Sequence, residues 1–289
     1  MKRKNKFISQ WNYLKSQPGF KHAPIPTIFR LVLWRFLCFV GKPVTVELPT
    51  SGVKMYLPPE WRGVAKLLFV FRDKYEPELA VLEKFLAPGG VMVDVGANYG
   101  IYSLYASQIV GEHGRVIAFE PAKKTFHVLQ KNVLLNAASN VVCIQAAISN
   151  QPGKITLYHH PDPSRNSLAK SDDWNKSSEV VYADTLDAML ARYGITRADF
   201  VKVDTEGAEE LVFWGGQEIL RTSKPVILFE HNPLASSQMG LKPEGSWQVL
   251  SGLGYSFFVW SDGVLRPVSI NDVVGGNVLA IHSSAEHRA

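Results

Sequence analysis

The sequence predicts an α/β fold, in which helices cover both faces of a mostly parallel sheet and a basic helical extension precedes it. From Val91 onward, short apolar runs alternate with longer helical segments, a pattern typical of parallel strands with helical crossovers. Before that region, the first 46 residues contain nine Lys or Arg and no Asp or Glu. We therefore divide the chain into an N-terminal extension over residues 1–74 and a main domain over residues 75–289.

The extension contains the signals of a few short elements. A strand pair is predicted at Thr45–Leu48 and Val53–Leu57, with a turn at Ser51-Gly52 between them. Helical segments are predicted over Trp61–Arg72 and Pro77–Leu86, the second of which lies in the main domain.

An earlier apolar run, Ile28–Val40, is also predicted to be a helix, since Pro26 lies near its start and Gly41 follows its end. The run is too short to span a bilayer, and it contains Arg30 and Arg35. Two interpretations stay open. The helix packs on the main domain, which we favour, or it lies as an amphipathic helix on a membrane surface.

The positive charge of the extension indicates an anionic partner. Of the 31 basic residues, 22 lie beyond Val46, together with all 26 acidic ones. A basic arm can contact anionic lipid, a phosphorylated glycan or nucleic acid, or it can be a solvated tail. We expect at most a peripheral contact with an anionic membrane, and nucleic acid is not favoured. The two cysteines, Cys38 and Cys143, indicate a reducing compartment, so we expect a cytoplasmic protein or one held peripherally at the inner membrane face.

The main domain is predicted from the order of its apolar runs. Its strands are predicted at VMVDV, RVIAF, VVCIQA, Lys154–His159, VVYA, FVKVD and VILFE, and a terminal helix–strand–strand segment is predicted after them. Its helices are predicted at Tyr99–Ile109, Ala122–Asn136, Leu186–Tyr193 and Ala208–Trp214. The polar stretch from Pro161 to Lys176 is predicted to be a loop, and loops of this length are commonly lids or binding segments.

The segment VDVGANYG, Val93–Gly100, is typical of a ligand site at the end of a strand. Asp94 ends an apolar strand, and Gly96 allows the backbone to approach a ligand where a helix begins. A dinucleotide-binding turn has glycine at its first, third and sixth places, whereas Asn98 takes the third place here. This difference argues against a pyrophosphate ligand and suits a ligand with an amino-acid end.

Glu120 ends the next strand, 24 residues after Gly96. An acidic side chain at this place can accept both hydroxyls of a ribose. NAD and S-adenosylmethionine both contain a ribose, so Glu120 alone does not distinguish them. A nicotinamide dehydrogenase is disfavoured by Asn98 and by the missing Tyr-x-x-x-Lys pattern.

Two later strands bring ionisable residues to the same edge of the sheet. Lys202, Asp204 and Glu206 lie around the end of FVKVD, and Glu230 and His231 end the strand VILFE. Open α/β sheets bind ligands at the carboxyl ends of their strands. We interpret these residues as catalytic or substrate-binding, with a structural Lys–carboxylate pair and a helix cap as the alternative.

Taken together, these segments resemble the FkbM-type methyltransferase family. DVGANYG, AFEP, NVLLN, AAISN, TLD, KVDTEGAE and VILFEHN occur in the order seen in that family, from about Tyr75 to about Asn232. The resemblance implies a class I methyltransferase with a Rossmann-like, seven-stranded sheet and S-adenosylmethionine as its cofactor. Thr205 differs from the family, which usually has Val or another apolar residue there.

The resemblance also implies cofactor contacts. Around the methionine portion it implies Asp94, Gly96, Ala97, Asn98 and Gly100. At the ribose it implies Glu120 and Pro121, and at the adenine Ala147 and Ile148. Glu76, in the segment YEPEL, is expected to close over the cofactor, and Asp204 is expected to contact it.

Members of that family are typically O-methyltransferases, so we expect in-line transfer of a methyl group to a hydroxyl of a sugar, a glycan or glycolipid, or a polyketide-like product. The candidate general bases are, in order, Asp204, Glu206 and His231. The residues expected to contact the acceptor are Arg165, Asn166, Lys202, Glu230 and His231.

Three further interpretations compete with this one. A divalent metal on Asp204, Glu206 and Glu230 agrees with ligand chemistry but is not favoured without a clear Asp–Asp–Asn pattern. Transfer to a protein or nucleic-acid nitrogen would favour an Asn/Asp-Pro-Pro-Tyr/Phe segment, where this chain has DTEG. A non-catalytic module that only binds the cofactor would favour loss of the glycine turn or of Glu120, and neither is lost.

Overall fold

The computed structural model describes residues 23–169, 177–261, 263–273 and 275–284, together with residues 15, 20 and 21. The chain forms two compact units, which divide between Pro77 and Glu78. The first basic residues of the extension and residues 170–176 of the predicted polar loop lie outside the described residues.

The first unit consists of helices around a hairpin. Helix α1 spans Pro24–Phe39, strands β1 and β2 span Val44–Glu47 and Lys54–Leu57, and helix α2 spans Val64–Phe71. A short 3-10 turn follows at Arg72–Tyr75. β1 and β2 pair antiparallel, which confirms the predicted strand pair.

One face of helix α1 anchors it within this unit. Trp34 is fully buried, its ring centroid lies 5.1 Å from that of Phe69, and its Nε1 donates to the carbonyl of Glu60 at 2.8 Å. The guanidinium of Arg30 donates to the carbonyl of Val70 at 3.2 Å. In the part of the chain that the structure describes, no helix combines the length and apolar character needed to cross a membrane.

The second unit alternates strands and helices, as the sequence predicts. Its helices are α3 Leu79–Phe85, α4 Ile101–Val110, α5 Lys123–Leu135, α6 Leu186–Arg192, α7 Glu209–Gly215, α8 Gln217–Ser223, α9 Pro233–Gln238 and α10 Gly245–Gly252. Its strands are β3 Val91–Val95, β4 Arg115–Phe119, β5 Val141–Ile144, β6 Ala147–Ile148, β7 Gly153–Tyr158, β8 Ser178–Asp184, β9 Phe200–Val203, β10 Val226–His231, β11 Tyr255–Ser261, β12 Val264–Pro267 and β13 Gly276–His282.

An eight-stranded sheet forms the centre of this unit, in the order β12-β11-β13-β10-β9-β3-β4-β5. The strands from β10 to β5 are parallel, and β13, β11 and β12 are joined antiparallel at one edge. The chain passes from β3 outward to β5 and later returns to β9 on the other side of β3. Sheets of this kind bind ligands at the carboxyl ends of the strands beside such a reversal, which here are β3 and β9.

Two expectations about the strands are wrong. The main sheet has eight strands and not seven, because β12 pairs with β11 and adds a strand at the edge. The predicted strand VVYA lies in β8, which pairs with β6 and β7 in a separate three-stranded sheet. In β8, Val181 and Ala183 are buried whereas Val180 and Tyr182 are exposed, so only one face of this small sheet is covered.

The parallel part of the main sheet is buried on both faces. All four residues of β9 are buried, and side chains such as Val93, Ile117 and Val203 join one core cluster with Leu186 and Phe213. Burial on both faces explains why these strands are continuous apolar runs in the sequence.

The turn after β3 is held tightly against the end of β9. The N–H of Asp204 donates to the carbonyl of Val95 at 2.9 Å, and Gly96 follows with a φ of 80°. A Cβ at Gly96 would lie 1.8 Å from the carbonyl oxygen of Asp204. Only glycine fits this close approach without displacing the backbone of the neighbouring strand end.

We expect Gly96→Ala to lower stability far more than the matched change Gly111→Ala. Gly111 also has a positive φ, 66° with a ψ of −170°, but a Cβ there would meet nothing within 4 Å. Gly111→Ala should therefore cost about 1–3 kcal/mol of backbone strain and no steric clash. Calorimetric melting should show a Tm decrease for Gly96→Ala that is several degrees larger. Equal decreases would contradict the close approach.

Candidate active site

A cavity lies at the carboxyl ends of β3, β4 and β9. The empty space beside its wall is about 640 Å³, a volume that includes solvent at the open mouth. Its wall is formed by Val95, Gly96, Asn98, Glu120, Pro121, Ala146, Ala147, Ile148, Leu157, Pro163, Asn166, Leu168, Asp204, Thr205, Glu206 and Ala208.

The glycine turn forms one side of this cavity. The N–H groups of Gly96 and Ala97 donate to the carbonyl of Phe119 at 3.0 and 2.9 Å, which ties the turn to the end of β4. Asn98 has a φ of 52°, and asparagine visits this left-handed region more readily than most residues. Asn98 can therefore occupy a place where dinucleotide-binding turns have glycine.

Glu120 is buried next to the turn, and both of its carboxylate oxygens accept backbone hydrogen bonds. Oε1 accepts from the N–H of Ala122 at 2.9 Å, and Oε2 accepts from the N–H of Asn98 at 3.0 Å. Burial raises the pKa of Glu120 to about 7, although these two donors oppose the rise. Each oxygen has a further lone pair, so the carboxylate can accept two neighbouring hydroxyls of a ribose.

Asp94 lies beneath the turn, where it is fully buried. Its Oδ2 accepts from Ser103 Oγ at 2.6 Å, and its Oδ1 has no hydrogen-bond donor among the described residues. The Nζ of Lys202 lies 3.9 Å from this Oδ1 and 3.2 Å from Oδ2 of Asp204. Burial raises the pKa of Asp94, and the positive charge of Lys202 opposes the rise. Lys202 thus balances one buried carboxylate and one on the cavity wall.

Three carboxylates gather at this end of the sheet. Asp204, Glu206 and Glu230 each have an oxygen within 4.8 Å of the others. Glu206 has a φ of 55°, which non-glycine residues rarely adopt, and its Oε2 accepts from Nδ2 of Asn232 at 3.3 Å. Burial raises the pKa of both Glu206 and Glu230, and the negative charge of Asp204 raises it further. Carboxyl groups perturbed in this way are candidates for proton transfer.

The same cluster is relevant to the metal prediction. Carboxylate oxygens are the ligands that hard divalent cations prefer, so a metal on Asp204, Glu206 and Glu230 agrees with their chemistry. Protonation of Glu206 or Glu230 would also relieve the repulsion between these carboxylates, without a metal. The raised pKa of both groups agrees with this alternative. Metal binding at this cluster therefore stays an alternative that we do not favour.

His231 is buried between β10 and helix α10, outside the cavity wall that the described residues form. Its Nδ1 lies 3.2 Å from Nε1 of Trp247, and an indole N–H can only donate. Nδ1 is therefore the acceptor, and the proton of the neutral ring lies on Nε2. Burial lowers the pKa of His231, which favours this neutral form. An imidazole whose lone pair is already used is poorly suited to be a base.

Glu209 is a further residue of the site that sequence reasoning did not identify. It is buried, and its Oε1 accepts from the N–H and the hydroxyl of Thr205 at 2.9 and 3.0 Å and from the N–H of Gly207 at 3.2 Å. Glu209 thus fixes the turn that carries Glu206. The hydroxyl of Thr205, the residue that differs from the family pattern, is directed to Glu209. A glutamate four residues after Thr205, in the first turn of a helix, was the available signal.

The structure places only part of the predicted site on the cavity wall. The predicted residues found there are Gly96, Asn98, Glu120, Pro121, Ala147, Ile148, Asn166, Asp204 and Glu206. Those outside the wall formed by the described residues are Asp94, Ala97, Gly100, Arg165, Lys202, Glu230 and His231. Glu76 belongs to the first unit, and its contact with the cofactor stays a prediction. Of the wall residues not predicted, Leu157 could have been found from the alternating pattern of KITLY.

The residues present fit S-adenosylmethionine. Glu120 suits a ribose, and the apolar side chains of Ala147, Ile148 and Leu157 provide walls for an adenine. The turn at Gly96 leads into helix α4, whose first N–H groups have no partner within the helix and suit a carboxylate.

Comparisons with known proteins identify the same class. The profile of the methyltransferase FkbM domain matches residues 94–257, more than half of the chain. The methyltransferase sdnD of Sordaria araneosa is 32% identical over 157 residues, which are 44% of this chain and 60% of that protein. The 31-O-demethyl-FK506 methyltransferase FkbM of Streptomyces tacrolimicus is 28% identical over 208 residues, which are 60% of this chain and 76% of that protein. Among solved structures, the methyltransferase FkbM of Methylobacillus flagellatus has a TM-score of 0.44 and 13% identity, covering 75% of this chain and 54% of that one.

The sheet order and the family match together define a class I methyltransferase domain that uses S-adenosylmethionine. Within that class, the chain belongs to the FkbM methyltransferase family, as the match over residues 94–257 shows. The match spans 60% of the length of sdnD and 57% of the length of methyltransferase 1 of Beauveria bassiana.

We expect Lys202→Met to destabilise the protein by roughly 3–5 kcal/mol, because it leaves Asp94 as an uncompensated buried charge. The matched control Lys154→Met removes an exposed lysine and should change the free energy of unfolding by less than about 0.5 kcal/mol. Urea denaturation of the three proteins measures both differences.

The pH dependence tests the same cause. Burial already raises the pKa of Asp94 above its ordinary value of 3.8, so its ionisation costs stability as the pH rises above that value. Removal of Lys202 raises this pKa further and enlarges the cost. The difference between wild type and Lys202→Met should therefore be largest at neutral pH and shrink as the pH falls toward 3.8. A difference independent of pH would mean that lost packing, and not the charge, is responsible.

Proposed function

We propose that this domain transfers the methyl group of S-adenosylmethionine to a hydroxyl of a sugar, a glycan or glycolipid, or a polyketide-like natural product. The observation that carries the proposal is the pair of carboxyl groups, Asp204 and Glu206, on the cavity wall together with the glycine turn. A hydroxyl is a weak nucleophile while it keeps its proton, so its methylation benefits from a base at this position.

Glu206 is the group best suited to accept that proton. Burial and the charge of Asp204 raise its pKa, and a base with a pKa near the working pH contributes roughly 10²–10⁴-fold to the rate. Asp204 is held by Lys202 at 3.2 Å, so it serves as the fixed negative charge beside Glu206. His231, whose lone pair is used by Trp247, is not part of this proposal.

The chain's own residues would hold the cofactor and exclude water. When bound, S-adenosylmethionine supplies an electrophilic methyl group on a sulfonium centre. Glu120 would hold the ribose, and Ala147 and Ile148 would flank the adenine. Leu157 and Leu168 contribute apolar surface to the same wall, which keeps water away from the reacting groups.

Asn166 is the wall residue that we assign to the acceptor. Its Oδ1 accepts from the N–H of His160 at 3.0 Å, which fixes the amide at the cavity. The exposed Arg165 precedes it, and its positive charge opposes the rise in the pKa of Glu206 that burial and Asp204 cause. A polar amide and a nearby cation suit an acceptor with several oxygen atoms.

The name of one relative and one sequence segment favour a hydroxyl acceptor over a nitrogen. The Streptomyces tacrolimicus relative is named for 31-O-demethyl-FK506. The segment Asp204–Gly207 reads DTEG, in contrast with the Asn/Asp-Pro-Pro-Tyr/Phe segment that nitrogen methylation would favour. Two alternatives to the proposal remain. One is transfer to a protein or nucleic-acid nitrogen, and the other is binding of the cofactor without catalysis.

The acceptor class is tested with cofactor that carries an isotopic label in its methyl group. The protein is incubated with a panel of sugars, glycolipids and O-demethylated macrolides, with a peptide mixture and an RNA mixture as the alternative acceptors. We expect label in a base-stable ether of a hydroxylated acceptor. Label on a nitrogen would contradict the proposed acceptor class, and binding of cofactor without transfer to any acceptor would favour the binding module.

With an acceptor in hand, we expect Glu206→Gln to lower kcat by roughly 10²–10⁴-fold and to leave the affinity for S-adenosylmethionine within about threefold. Because burial raises the pKa of Glu206, its proton is lost only at higher pH, and the wild-type rate should rise with pH as the carboxylate forms. The variant should lack this rise. Glu218→Gln, which removes an exposed carboxylate, is the control and should keep the wild-type profile. An unchanged kcat in Glu206→Gln would exclude Glu206 as the base.

A further inference from the structure

Helix α1 has one face that is apolar and exposed along its whole length. Ile25, Phe29, Val32, Phe36 and Phe39 are each between 59% and 81% exposed. At helical spacing these five positions lie within roughly 80° of one another, so they form one continuous band, which we call the apolar stripe. Single exposed apolar side chains are ordinary on protein surfaces, whereas a contiguous patch marks an interaction site.

The opposite face of the helix fixes the direction in which the stripe points. Trp34 and Cys38 are buried, and Trp34 donates to the carbonyl of Glu60 at 2.8 Å. Arg30 donates to the carbonyl of Val70 at 3.2 Å. Because one side of α1 is held by these contacts, the stripe cannot rotate inward without breaking them.

The charge of the surrounding sequence shows which partner suits this face. The first 46 residues contain nine Lys or Arg and no Asp or Glu. Arg35 on α1 and Lys42 just beyond it are exposed. An apolar face bordered by positive charge is the pattern of helices that lie in the interface of anionic membranes.

We propose that helix α1 lies on an anionic membrane, with the apolar stripe inserted at the boundary between headgroups and acyl chains. The stripe supplies apolar area, and the basic residues of the extension supply attraction to anionic headgroups. A second copy of the chain is a poorer occupant, because pairing two stripes would bring two strongly basic segments together.

The proposal is tested with the full chain and lipid vesicles in a flotation assay. One set of vesicles is phosphatidylcholine alone, and the other contains equal parts of phosphatidylcholine and phosphatidylglycerol. We expect binding to the anionic vesicles only, and a weaker binding as the salt concentration rises. The double variant Phe29→Gln/Phe36→Gln should reduce the partition coefficient by at least about tenfold.

Two further variants separate loss of binding from loss of folding. Ile25→Gln/Phe39→Gln changes the most exposed residues of the stripe and should also lose binding while it keeps the wild-type Tm. Leu134→Gln/Leu234→Gln removes two side chains of the second unit that are 80% and 69% exposed, and it should bind like wild type. Equal loss in this control would show that the effect is not specific to the stripe, which would overturn the proposal.

The oligomeric state distinguishes a membrane from a second copy of the chain as the partner of the apolar stripe. We expect the wild-type protein to be monomeric by analytical ultracentrifugation in the absence of vesicles. A dimer that Phe29→Gln/Phe36→Gln makes monomeric, together with no vesicle binding, would assign the stripe to a second copy and overturn the proposal. None of these measurements depends on methyl transfer, so their outcome is independent of the proposed function.

Discussion

The close approach of the β3 turn to the end of β9 is the constraint on which the site depends. A Cβ at Gly96 would lie 1.8 Å from the carbonyl oxygen of Asp204, so the two strand ends meet with no room between them. This contact sets the glycine turn, which we propose binds the cofactor, beside Asp204 and Glu206, which we propose face the acceptor. It also lies where the strand order reverses between β3 and β9, the place where open sheets form ligand clefts.

The acidic side chains around this contact differ in whether hydrogen-bond donors or a positive charge stabilise their ionised form. We use that difference to distinguish structural carboxylates from the proposed base. Glu120 and Glu209 accept backbone N–H groups, and Asp94 lies beside Lys202. These contacts hold the structure, and we propose that Glu120 also holds the ligand. Burial raises the pKa of all five groups. For Glu206 and Glu230 the negative charge of Asp204 is the next largest cause and raises the pKa further, whereas for the other three Lys202 or a backbone donor comes next and opposes the rise. Because a raised pKa makes a carboxylate a better proton acceptor, the chemistry is expected at Glu206 and not at the better-balanced groups.

The sequence predicts well which edge of the sheet carries the candidate site. It predicts less well which side chains form that site. Strand alternation, the glycine turn and Glu120 are local patterns, and parallel strands necessarily bring their carboxyl ends to one edge. Local patterns could not decide between the candidate bases. Whether His231 has a free lone pair depends on its hydrogen bond with Trp247, 16 residues later in the chain. The separate sheet of β6, β7 and β8 was also missed, because apolar residues in VVYA resemble a central strand although only one face is covered. The eighth strand was missed because β12 is short and mostly exposed.

The most direct test is calorimetric titration of S-adenosylmethionine, S-adenosylhomocysteine and NAD into wild type and Glu120→Ala. If the cavity beside Gly96 is the cofactor site, the first two ligands bind to wild type, NAD does not, and Glu120→Ala loses binding by about tenfold or more, since the ribose loses a charged acceptor. Because Glu120 also accepts two backbone hydrogen bonds, Glu120→Ala should melt several degrees below wild type, so binding is compared at a temperature at which both proteins are folded. Binding of NAD in preference, or equal binding of S-adenosylmethionine to both proteins, would contradict the placement of the cofactor on Glu120.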